Sequence, residues 1–402
     1  MKVTALETIQ LEEYPNVLWV QVHTDEGLTG LGETFYAVEP VIAHIHQTIA
    51  PYLLGQDPLA LDRHSRHFLY NYLGFKSVGA EMRAASAVDI ALWDLFGQAT
   101  GQPIHQLLGG ASRDRIRTYN TCAGYQYVRA KSEQGTANFG TPADSGRYQP
   151  YEDLVGFMKY PDELALSLLE EGYTGMKIWP FDAYAEASNG TSISAAELKQ
   201  ALIPFERIRK AVGDRMDIHV EFHSLWNLPA AIRIAKALEP YDPYWFEDPI
   251  KMDNLDAIAE YARRTDVWVT ASETLATRWA FRDLFEKRAV SVCMFDIGWC
   301  GGLTEAKKIA TMAEAYQLPI APHDCTGPVL LTAAVHLSLN CTNTLVQEVV
   351  RAFYFGWYGE LVTQLPPLEK GFISAPPGPG LGTQLQPGVL KRKDARIRRS
   401  TR

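Results

Sequence analysis

Acidic and imidazole side chains recur along the second half of the chain at nearly constant spacing. Each follows a short apolar segment, and the intervals between them are 23 to 27 residues: Glu221, Glu247, Glu273, Asp296, His323 and Glu348. An interval of this size fits one β-strand followed by one α-helix, so residues one interval apart come from adjacent strands and meet at one rim. The spacing therefore predicts a cluster of titratable groups at the carboxyl ends of parallel strands.

Glu221, Glu247 and Glu273 are candidates to bind a metal ion. Three carboxylates in a partly dehydrated pocket repel one another strongly unless a cation lies among them. Oxygen donors with open positions favour octahedral Mg²⁺ over Zn²⁺. Each Glu taken singly could instead cap a helix or pair with a nearby Arg or Lys, but three in register favour the metal site.

Asp296 and His323 are candidates for a general base. A carboxylate bonded to one imidazole nitrogen fixes the tautomer and raises the basicity of the other nitrogen. A lone histidine in such a segment is more often a core residue, but the Asp one strand away favours the catalytic interpretation. Lys177 ends an earlier apolar segment, and His223 follows Glu221 by two residues, which on a strand points both to the same side.

Eight apolar segments, each followed by a helix-period segment, are the elements that would position these residues. They span 117–123, 174–179, 217–223, 244–248, 267–273, 291–297, 318–323 and 344–350. Eight helix-covered parallel strands are typical of a (β/α)₈ barrel, in which the chemistry lies at the carboxyl ends of the strands.

The segments before and after the barrel predict a second layer. Residues 1–115 contain a β-hairpin and three helical stretches around 38–52, 60–72 and 80–98, so we expect an α+β capping domain. The barrel would span 116–355, and the Pro-rich segment 356–402 would return to the capping domain. The polar insertion 128–153 is typical of a lid or surface loop, and it is equally consistent with contacts between subunits of a homo-oligomer.

Composition excludes several classes of protein. The 402 residues are 47% hydrophobic and carry a net charge of −9, and the last twelve hold seven cations and one anion, leaving −15 for the rest. A body this acidic disfavours nucleic acid as a partner, and the basic run is typical of a disordered, solvated tail. Without an apolar stretch of about 18 residues or a signal-peptide pattern, we expect no membrane association and a cytoplasmic location.

Several motifs resemble those of one family. The chain is similar to the enolase superfamily, in the subgroup of mandelate racemase and the acid-sugar dehydratases. The resemblance covers nearly the whole chain, through Gly30-Leu31-Gly32-Glu33, Ala91-Leu92-Trp93-Asp94-Leu95, Phe246-Glu247-Asp248-Pro249, Asp296-Ile297-Gly298 and Pro379-Gly380-Leu381-Gly382.

The resemblance implies a role for each residue of the cluster. Glu221, Glu247 and Glu273 would bind Mg²⁺, and His323 with Asp296 would remove the proton next to the carboxylate of a small-molecule substrate. The resulting enediolate would be stabilised by the metal, as in other enolase-superfamily sites. Glu348, protonated when it acts, would donate a hydrogen bond to that enediolate.

Two departures from mandelate racemase narrow the reaction. That enzyme has Lys-x-Lys on the second strand, whereas this chain has Lys177-Ile178-Trp179, so the second base is missing and racemisation is disfavoured. Lys177 would then contact the substrate carboxylate as a fixed positive charge. Glu221 replaces the Asp ligand of many relatives, and His223 resembles the histidine that protonates the departing hydroxyl in galactonate dehydratases; its alternative is to orient a metal ligand.

The function expected from these features is a Mg²⁺-dependent dehydratase of a sugar acid, an aldonate or an aldarate, that yields a 2-keto-3-deoxy acid. The alternatives are a racemase or epimerase of a 2-hydroxy acid, with Lys177 as second base, and a non-catalytic metal-binding barrel. Tyr14, Lys76 and Trp179 are candidates for contact with the substrate, although exposed loop residues without such a role are the simpler interpretation of Tyr14 and Lys76.

Overall fold

The computed structural model describes residues 1–71, 73–127, 129, 135–136, 139–142 and 144–402. The chain begins with an antiparallel meander of β1 (Val3–Leu11), β2 (Val17–Thr24) and β3 (Thr29–Phe35). The hairpin predicted within residues 1–115 is formed by β2 and β3. Its turn contains Asp25, Glu26 and Gly27, and Gly27 has a left-handed φ of 82° that such a turn requires.

Helices cover one face of this sheet. They are α1 (Val38–His44), continued by a π-helical turn (Ile45–Ile49) into α2 (Ala50–Leu53), then α3 (Leu61–Leu69), α4 (Ala80–Thr100) and α5 (Ile104–Leu107). The longest, α4, packs directly on β3: Gly30 and Gly32 face the backbone of α4 so closely that any Cβ there would collide with it. This contact fixes α4 against the strand that leads towards the barrel.

Parallel strands form the barrel. They are β4 (Ile116–Thr121), β5 (Gly175–Ile178), β6 (Asp217–Glu221), β7 (Trp245–Glu247), β8 (Trp268–Ala271), β9 (Val292–Cys293) and β10 (Gln347–Val349). The strands from β4 to β9 pair in this order, and β10 pairs parallel with β4. The segment between β9 and β10 joins both sides through isolated bridges, so the ring closes as the sequence predicted. All but a few of these strand residues are buried, as expected for strands covered by helices.

The seventh predicted strand, 318–323, does not form a continuous strand in the structure, which corrects the sequence prediction. This segment joins its neighbours only through isolated bridges, Cys293 to Ile320, Asp296 to His323 and Ile320 to Thr344. The Pro residues at 319 and 322 lack an N–H group, so a continuous ladder cannot form there. The bridges still hold His323 beside Asp296.

Helices surround the barrel strands in the described part of the chain. They are α6 (Asp153–Lys159), α7 (Pro161–Glu170), α8 (Asp182–Ser188), α9 (Ala195–Val212), α10 (Leu228–Leu238), α11 (Leu255–Ala262), α12 (Thr277–Glu286), α13 (Ile297–Cys300), α14 (Gly302–Ala315) and α15 (Pro328–Asn340), with short 3₁₀ turns at Gly213–Arg215 and Glu239–Tyr241. The described helices include none that is both long and apolar enough to cross a membrane.

The chain after the barrel returns to the first domain. It contains α16 (Arg351–Phe353), a π-helical turn (Tyr354–Tyr358), α17 (Gly359–Leu361), the small hairpin β11 (Leu368–Glu369) and β12 (Phe372–Ile373), a 3₁₀ turn (Val389–Lys391) and β13 (Ala395–Thr401). β12 pairs with β4 of the barrel, and β13 pairs antiparallel with β1 of the capping sheet.

The basic tail is therefore not the disordered tail that its composition suggested. β13 lies along the free edge of β1. Arginines of β13 and of the turn before it meet acidic residues of β1 and of the turn after it. Arg399 pairs with Glu7, Arg396 Nη2 lies 2.8 Å from Glu12 Oε1, and Arg392 Nη2 lies 2.6 Å from Glu13 Oε2. Complementary charge and ladder hydrogen bonds order a segment whose own composition disfavours structure.

The insertion predicted at 128–153 is only partly described, because residues 128, 130–134, 137–138 and 143 lie outside the described residues. Within the described part, Gly135, Thr136 and Phe139 line a cavity at the mouth of the barrel. Arg129 packs over the ring of Tyr14, with its guanidinium carbon 4.6 Å from the ring centroid, and pairs with Glu13 of the capping domain. The insertion thus contacts both domains.

Reversing the charge of Arg399 should destabilise the capping sheet. Arg399 and Glu7 are direct cross-strand partners, so Arg399→Glu places two like charges opposite each other, and we expect a loss of about 1 kcal/mol in the free energy of unfolding. Thermal denaturation would measure the loss, which should shrink in high salt. The swapped pair Glu7→Arg/Arg399→Glu should recover most of it; equal stability of the single and double variants would contradict this pairing.

Candidate active site

The barrel brings the three predicted glutamates together. Glu221 and Glu247 are the last residues of β6 and β7 and are register partners, and Glu273 follows the end of β8 by two residues. One carboxylate oxygen from each lies within 4.8 Å of the others. Glu221 and Glu247 are fully buried, and Glu273 is partly exposed towards the cavity.

Lys177, on β5, supplies the positive charge beside these carboxylates. Its Nζ lies 2.5 Å from Glu247 Oε1, 2.9 Å from Glu348 Oε1 and 3.3 Å from Glu221 Oε2. Burial alone would lower the pKa of Lys177, but Glu247 and Glu348 raise it well above its usual value. Lys177 is therefore a fixed cation that several carboxylates share.

One lysine does not balance the negative charge. Burial raises the pKa of Glu247 well above the usual range, and repulsion from Glu221 adds to the shift. Glu221 Oε2 is buried and accepts no hydrogen bond from any described residue. Its contact with Lys177 Nζ at 3.3 Å is an ion pair without a hydrogen bond. An all-oxygen donor set with surplus negative charge fits a hard divalent cation held by Glu221, Glu247 and Glu273.

Glu348 ends the ring of carboxylates on β10. Thr121 donates a hydrogen bond to its Oε1, and the backbone N–H of Asp324 donates one to its Oε2 at 2.9 Å. Burial raises the pKa of Glu348, but Lys177 and His323 outweigh it and lower the pKa below its usual value. The sequence predicted a protonated Glu348 during the reaction, whereas its surroundings in this structure favour the carboxylate.

Asp296 and His323 form the predicted pair. His323 Nδ1 lies 2.7 Å from Asp296 Oδ2, and His323 Nε2 lies 2.9 Å from Glu273 Oε2. The backbone N–H of Gly298 donates to the other Asp296 oxygen at 2.6 Å and so holds the carboxylate in place. Burial would lower the pKa of His323, but Glu273 and Glu348 raise it well above the usual value.

A second histidine–carboxylate pair faces the same cavity. His223 Nδ1 lies 2.7 Å from Asp182 Oδ2, at the start of α8. Burial would lower the pKa of His223, but Asp182 and Glu221 raise it to about 10. The strand spacing does not predict Asp182, because this residue follows β5 by four residues within a helix rather than ending a strand.

The route by which His223 reaches the site differs from the prediction. β6 ends at Glu221, and His223 has a left-handed φ of 48°, so strand alternation does not orient it. Glu221 Oε1 instead accepts hydrogen bonds from the backbone N–H groups of Phe222, at 2.9 Å, and His223, at 2.7 Å. The carboxylate of Glu221 thereby fixes the turn that presents the imidazole.

Two connected chambers lie above these residues. An inner chamber of about 90 Å³ is lined by Phe35, Thr121, Tyr127, Lys177, Trp179, His223, Glu273, Trp299, His323 and Cys325. An outer chamber of about 400 Å³ shares five of these residues and adds others from the capping domain, the insertion and α8. The two chambers together have room for a small ligand.

The three predicted substrate contacts have different positions. Trp179 lines the inner chamber, where its ring meets that of His223 edge-on at 5.8 Å. Tyr14 is buried beside Trp357, with ring centroids 4.8 Å apart, and Lys76 is exposed. Neither Tyr14 nor Lys76 lines either chamber, because the first packs inside the domain interface and the second lies on an exposed loop.

Several residues that line the outer chamber were not predicted from the sequence. Phe35, Tyr36 and Arg83 come from the capping domain, and Trp299 from α13. Their shared position depends on how the two domains pack, and the only sequence signal was the Gly-rich β3 strand, which ends at Phe35.

Comparison with known proteins agrees with this architecture. The mandelate racemase / muconate lactonizing enzyme N-terminal domain matches residues 2–109, and the enolase C-terminal domain-like family matches residues 161–389. A D-galactonate dehydratase of Ralstonia pickettii is 30% identical over 397 residues, 97% of this chain and 94% of that protein.

Solved structures are more similar still. An enolase of the mandelate racemase subgroup from Agrobacterium tumefaciens, with a succinimide residue, sodium and phosphate, is 54% identical, with a TM-score of 0.88 over 100% of this chain and 99% of that one. An enolase from Sargasso Sea environmental sequencing is 44% identical, with the same TM-score and coverage.

An α+β cap over a (β/α)₈ barrel with acidic strand ends defines a class of barrel enzymes. Within that class, the chain belongs to the enolase superfamily and to its mandelate racemase / muconate lactonizing enzyme family.

Binding of a divalent cation should be visible in the stability of the protein. Millimolar Mg²⁺ should raise the melting temperature by a few degrees, because an ion that binds only the folded state stabilises it. Glu247→Gln should abolish this rise by removing one ligand, and differential scanning fluorimetry with and without chelator measures both.

Glu170→Gln is the matched control, since Glu170 is exposed on the outer helix α7. This variant should show the full Mg²⁺-dependent rise. A rise that survives Glu247→Gln would contradict the assignment of the cation to the acidic cluster.

Proposed function

We propose that the protein is a Mg²⁺-dependent dehydratase of a sugar acid, an aldonate or an aldarate. The observation that carries this proposal is the pair of histidines, each bonded to a carboxylate, that line one small chamber beside the acidic cluster. Elimination of water needs a base for the C2 proton and an acid for the C3 hydroxyl, and two such histidines supply both. The D-galactonate dehydratase relative supports the same reaction class.

His323 would act first. Asp296 holds His323 Nδ1, and Nε2 lines the chamber, where it pairs with Glu273 Oε2. When Glu273 binds the cation instead, Nε2 would be released from this pair as an unprotonated base and could remove the proton at C2 of the substrate. Lys177 lies at the inner end of the chamber, where its ammonium group can bind the substrate carboxylate. Binding at that point would orient C2 towards His323.

Negative charge then develops on the substrate carboxylate as the enediolate forms. Mg²⁺ bound by Glu221, Glu247 and Glu273 would supply Lewis-acid stabilisation of that charge. Lys177 adds a fixed positive charge. The surroundings of Glu348 favour its carboxylate before the reaction, so Glu348 would first have to take up a proton and would then donate a hydrogen bond to an enediolate oxygen. These groups lower the barrier to removal of a proton that is only weakly acidic in water.

His223 would complete the elimination. Asp182 holds its Nδ1, which leaves Nε2 to protonate the C3 hydroxyl as the C3–O bond breaks and water leaves. The electron pair of the enediolate forms the C2–C3 double bond, and the enol product tautomerises to a 2-keto-3-deoxy acid. Each proton and electron pair is accounted for without any redox cofactor.

The contacts of Lys177 and the presence of two histidine–carboxylate pairs disfavour the two alternative functions. A racemase with Lys177 as second base would need a free amine, but three carboxylates hold this ammonium group in place. A non-catalytic barrel would need neither histidine pair. Trp179 fills the position at which mandelate racemase has its second Lys, which further disfavours proton transfer at the opposite face.

A screen of aldonates and aldarates tests the proposal. The folded, Mg²⁺-loaded protein should convert at least one of them to a 2-keto-3-deoxy acid, detected as its semicarbazone. If no acid sugar is converted by a sample that binds Mg²⁺, the proposed reaction is wrong.

The two histidines should separate the two half-reactions. His223→Asn should retain exchange of the C2 proton with deuterated solvent while dehydration falls at least about 100-fold, because loss of a general acid removes that much rate. His323→Asn should lose both exchange and dehydration. NMR of the substrate in D₂O measures exchange; equal loss of exchange in both variants would contradict the assigned roles.

Asp182→Asn should behave as a weaker form of His223→Asn. The amide no longer holds the imidazole through a charged hydrogen bond, so we expect kcat for dehydration to fall about 10- to 100-fold with little change in KM or C2 exchange. Asp214→Asn, at an exposed site distant from the chamber, is the control. A matching loss of C2 exchange in Asp182→Asn would show that Asp182 supports the fold rather than His223.

A further inference from the structure

Arg83 stands out among the residues that line the outer chamber. It lies near the start of α4 in the capping domain, whereas the catalytic groups come from the barrel. No other Lys or Arg is among the described residues that line this chamber. The reaction proposed above does not use it.

Aromatic rings and one backbone carbonyl hold the Arg83 guanidinium in place. Its central carbon lies 4.9 Å from the ring centroid of Trp299 and 5.5 Å from that of Tyr36. Its Nε donates a hydrogen bond to the carbonyl oxygen of Phe35 at 3.2 Å. A guanidinium fixed at these contacts loses little further freedom when it binds a ligand.

The two terminal amino groups of the Arg83 guanidinium remain available to bind a ligand. Among the described residues, no carboxylate lies within ion-pair distance of Arg83, and its two terminal amino groups donate no hydrogen bond. Burial lowers the pKa of Arg83 and the carboxylate of Asp296 opposes that shift, so the side chain keeps its positive charge. Two parallel N–H donors with a positive charge match a carboxylate or a phosphate.

Trp299 lies between the Arg83 guanidinium and the catalytic histidine His323. Its ring lies 5.5 Å from the ring of His323, and its Nε1 donates to the same Phe35 carbonyl oxygen, at 3.1 Å. Arg83 and His323 thus contact the same indole ring. A chain whose C2 lies at His323 and whose remaining carbons enter the outer chamber would reach Arg83.

The other charged groups of the outer chamber lie on the barrel side. Asp182 is paired with His223, and Glu186 of α8 accepts a hydrogen bond from Thr136. Glu273 belongs to the acidic cluster. Arg83 therefore gives the capping side of the chamber a positive charge that is not neutralised there.

We propose that Arg83 binds an anionic group at the far end of the substrate, so that the enzyme selects dianionic sugar acids over aldonates that end in a hydroxyl group. The distal group would be a second carboxylate or a terminal phosphate, which share the recognised chemistry. The inference rests on the proposed function for the position of the first carboxylate.

Unreactive ligands test the subsite without turnover. Adipate and hexanoate have the same six-carbon chain, but only adipate has a second carboxylate. Calorimetry on the Mg²⁺-loaded protein should show adipate binding at least about 10-fold more tightly, as expected for a charge-assisted pair. Arg83→Gln should remove most of this preference, and Arg83→Lys should retain part of it.

Arg66→Gln is the control, since Arg66 is an exposed residue of the neighbouring helix α3 and lines neither chamber. It should keep the adipate preference, and the melting temperature of each variant reports whether it folds. Equal binding of adipate and hexanoate, or a preference that survives in folded Arg83→Gln, would overturn the proposal.

Turnover identifies the distal group. Galactarate against galactonate, and glucarate against gluconate, compare a second carboxylate with a hydroxyl group, and 6-phosphogluconate against gluconate tests a phosphate. In Arg83→Gln, kcat/KM for the preferred dianion should fall about 10- to 100-fold, with less than about 3-fold change for its monoanion.

The two proposals fail separately. If adipate is preferred in an Arg83-dependent way but no acid sugar is converted, the proposed subsite is supported and the proposed dehydratase reaction is wrong. If aldonates are dehydrated efficiently and dianions have no advantage, the proposed reaction is supported and the proposed role of Arg83 is wrong.

Discussion

The mutual repulsion of buried carboxylates is the constraint on which this structure depends. Four glutamates, Glu221, Glu247, Glu273 and Glu348, meet at the mouth of the barrel. Lys177 is the shared ammonium partner of three of them, and Glu273 pairs with His323 instead. Burial disfavours their charged forms, so the arrangement needs a further positive charge to be stable at neutral pH. A divalent cation supplies that charge and at the same time makes the mouth of an acidic protein attractive to an anionic substrate.

The capping domain completes the site through its strand β3. Glu33 accepts hydrogen bonds from Trp19 Nε1, at 2.6 Å, and from the backbone N–H of Leu330 on α15, and burial raises its pKa to about 8. Thr34 donates to the carbonyl oxygen of Gly298, directly beside the Asp296 loop. The next residue, Phe35, accepts from Arg83 and Trp299. One strand thus aligns the outer chamber with the catalytic pair.

The sequence predicted the barrel and its acidic ring because each strand–helix unit has a similar length, so that spacing alone places Glu221, Glu247 and Glu273 side by side. It missed Asp182 and Arg83, whose positions depend on a helix after β5 and on packing between domains. It was wrong about the basic tail, because the acidic partners of β13 lie on β1, almost the whole chain away. A local sequence pattern predicts strands well, but it predicts poorly which residues distant in the chain will contact each other.

The position of a bound divalent ion would show whether the acidic cluster holds a metal. A crystal grown with Mn²⁺ in place of Mg²⁺, with data collected at the manganese absorption edge, would locate the ion by its anomalous signal. We expect one strong peak bounded by the carboxylates of Glu221, Glu247 and Glu273, next to Lys177. A strong peak elsewhere, or none at this cluster in crystals soaked at saturating Mn²⁺, would contradict it.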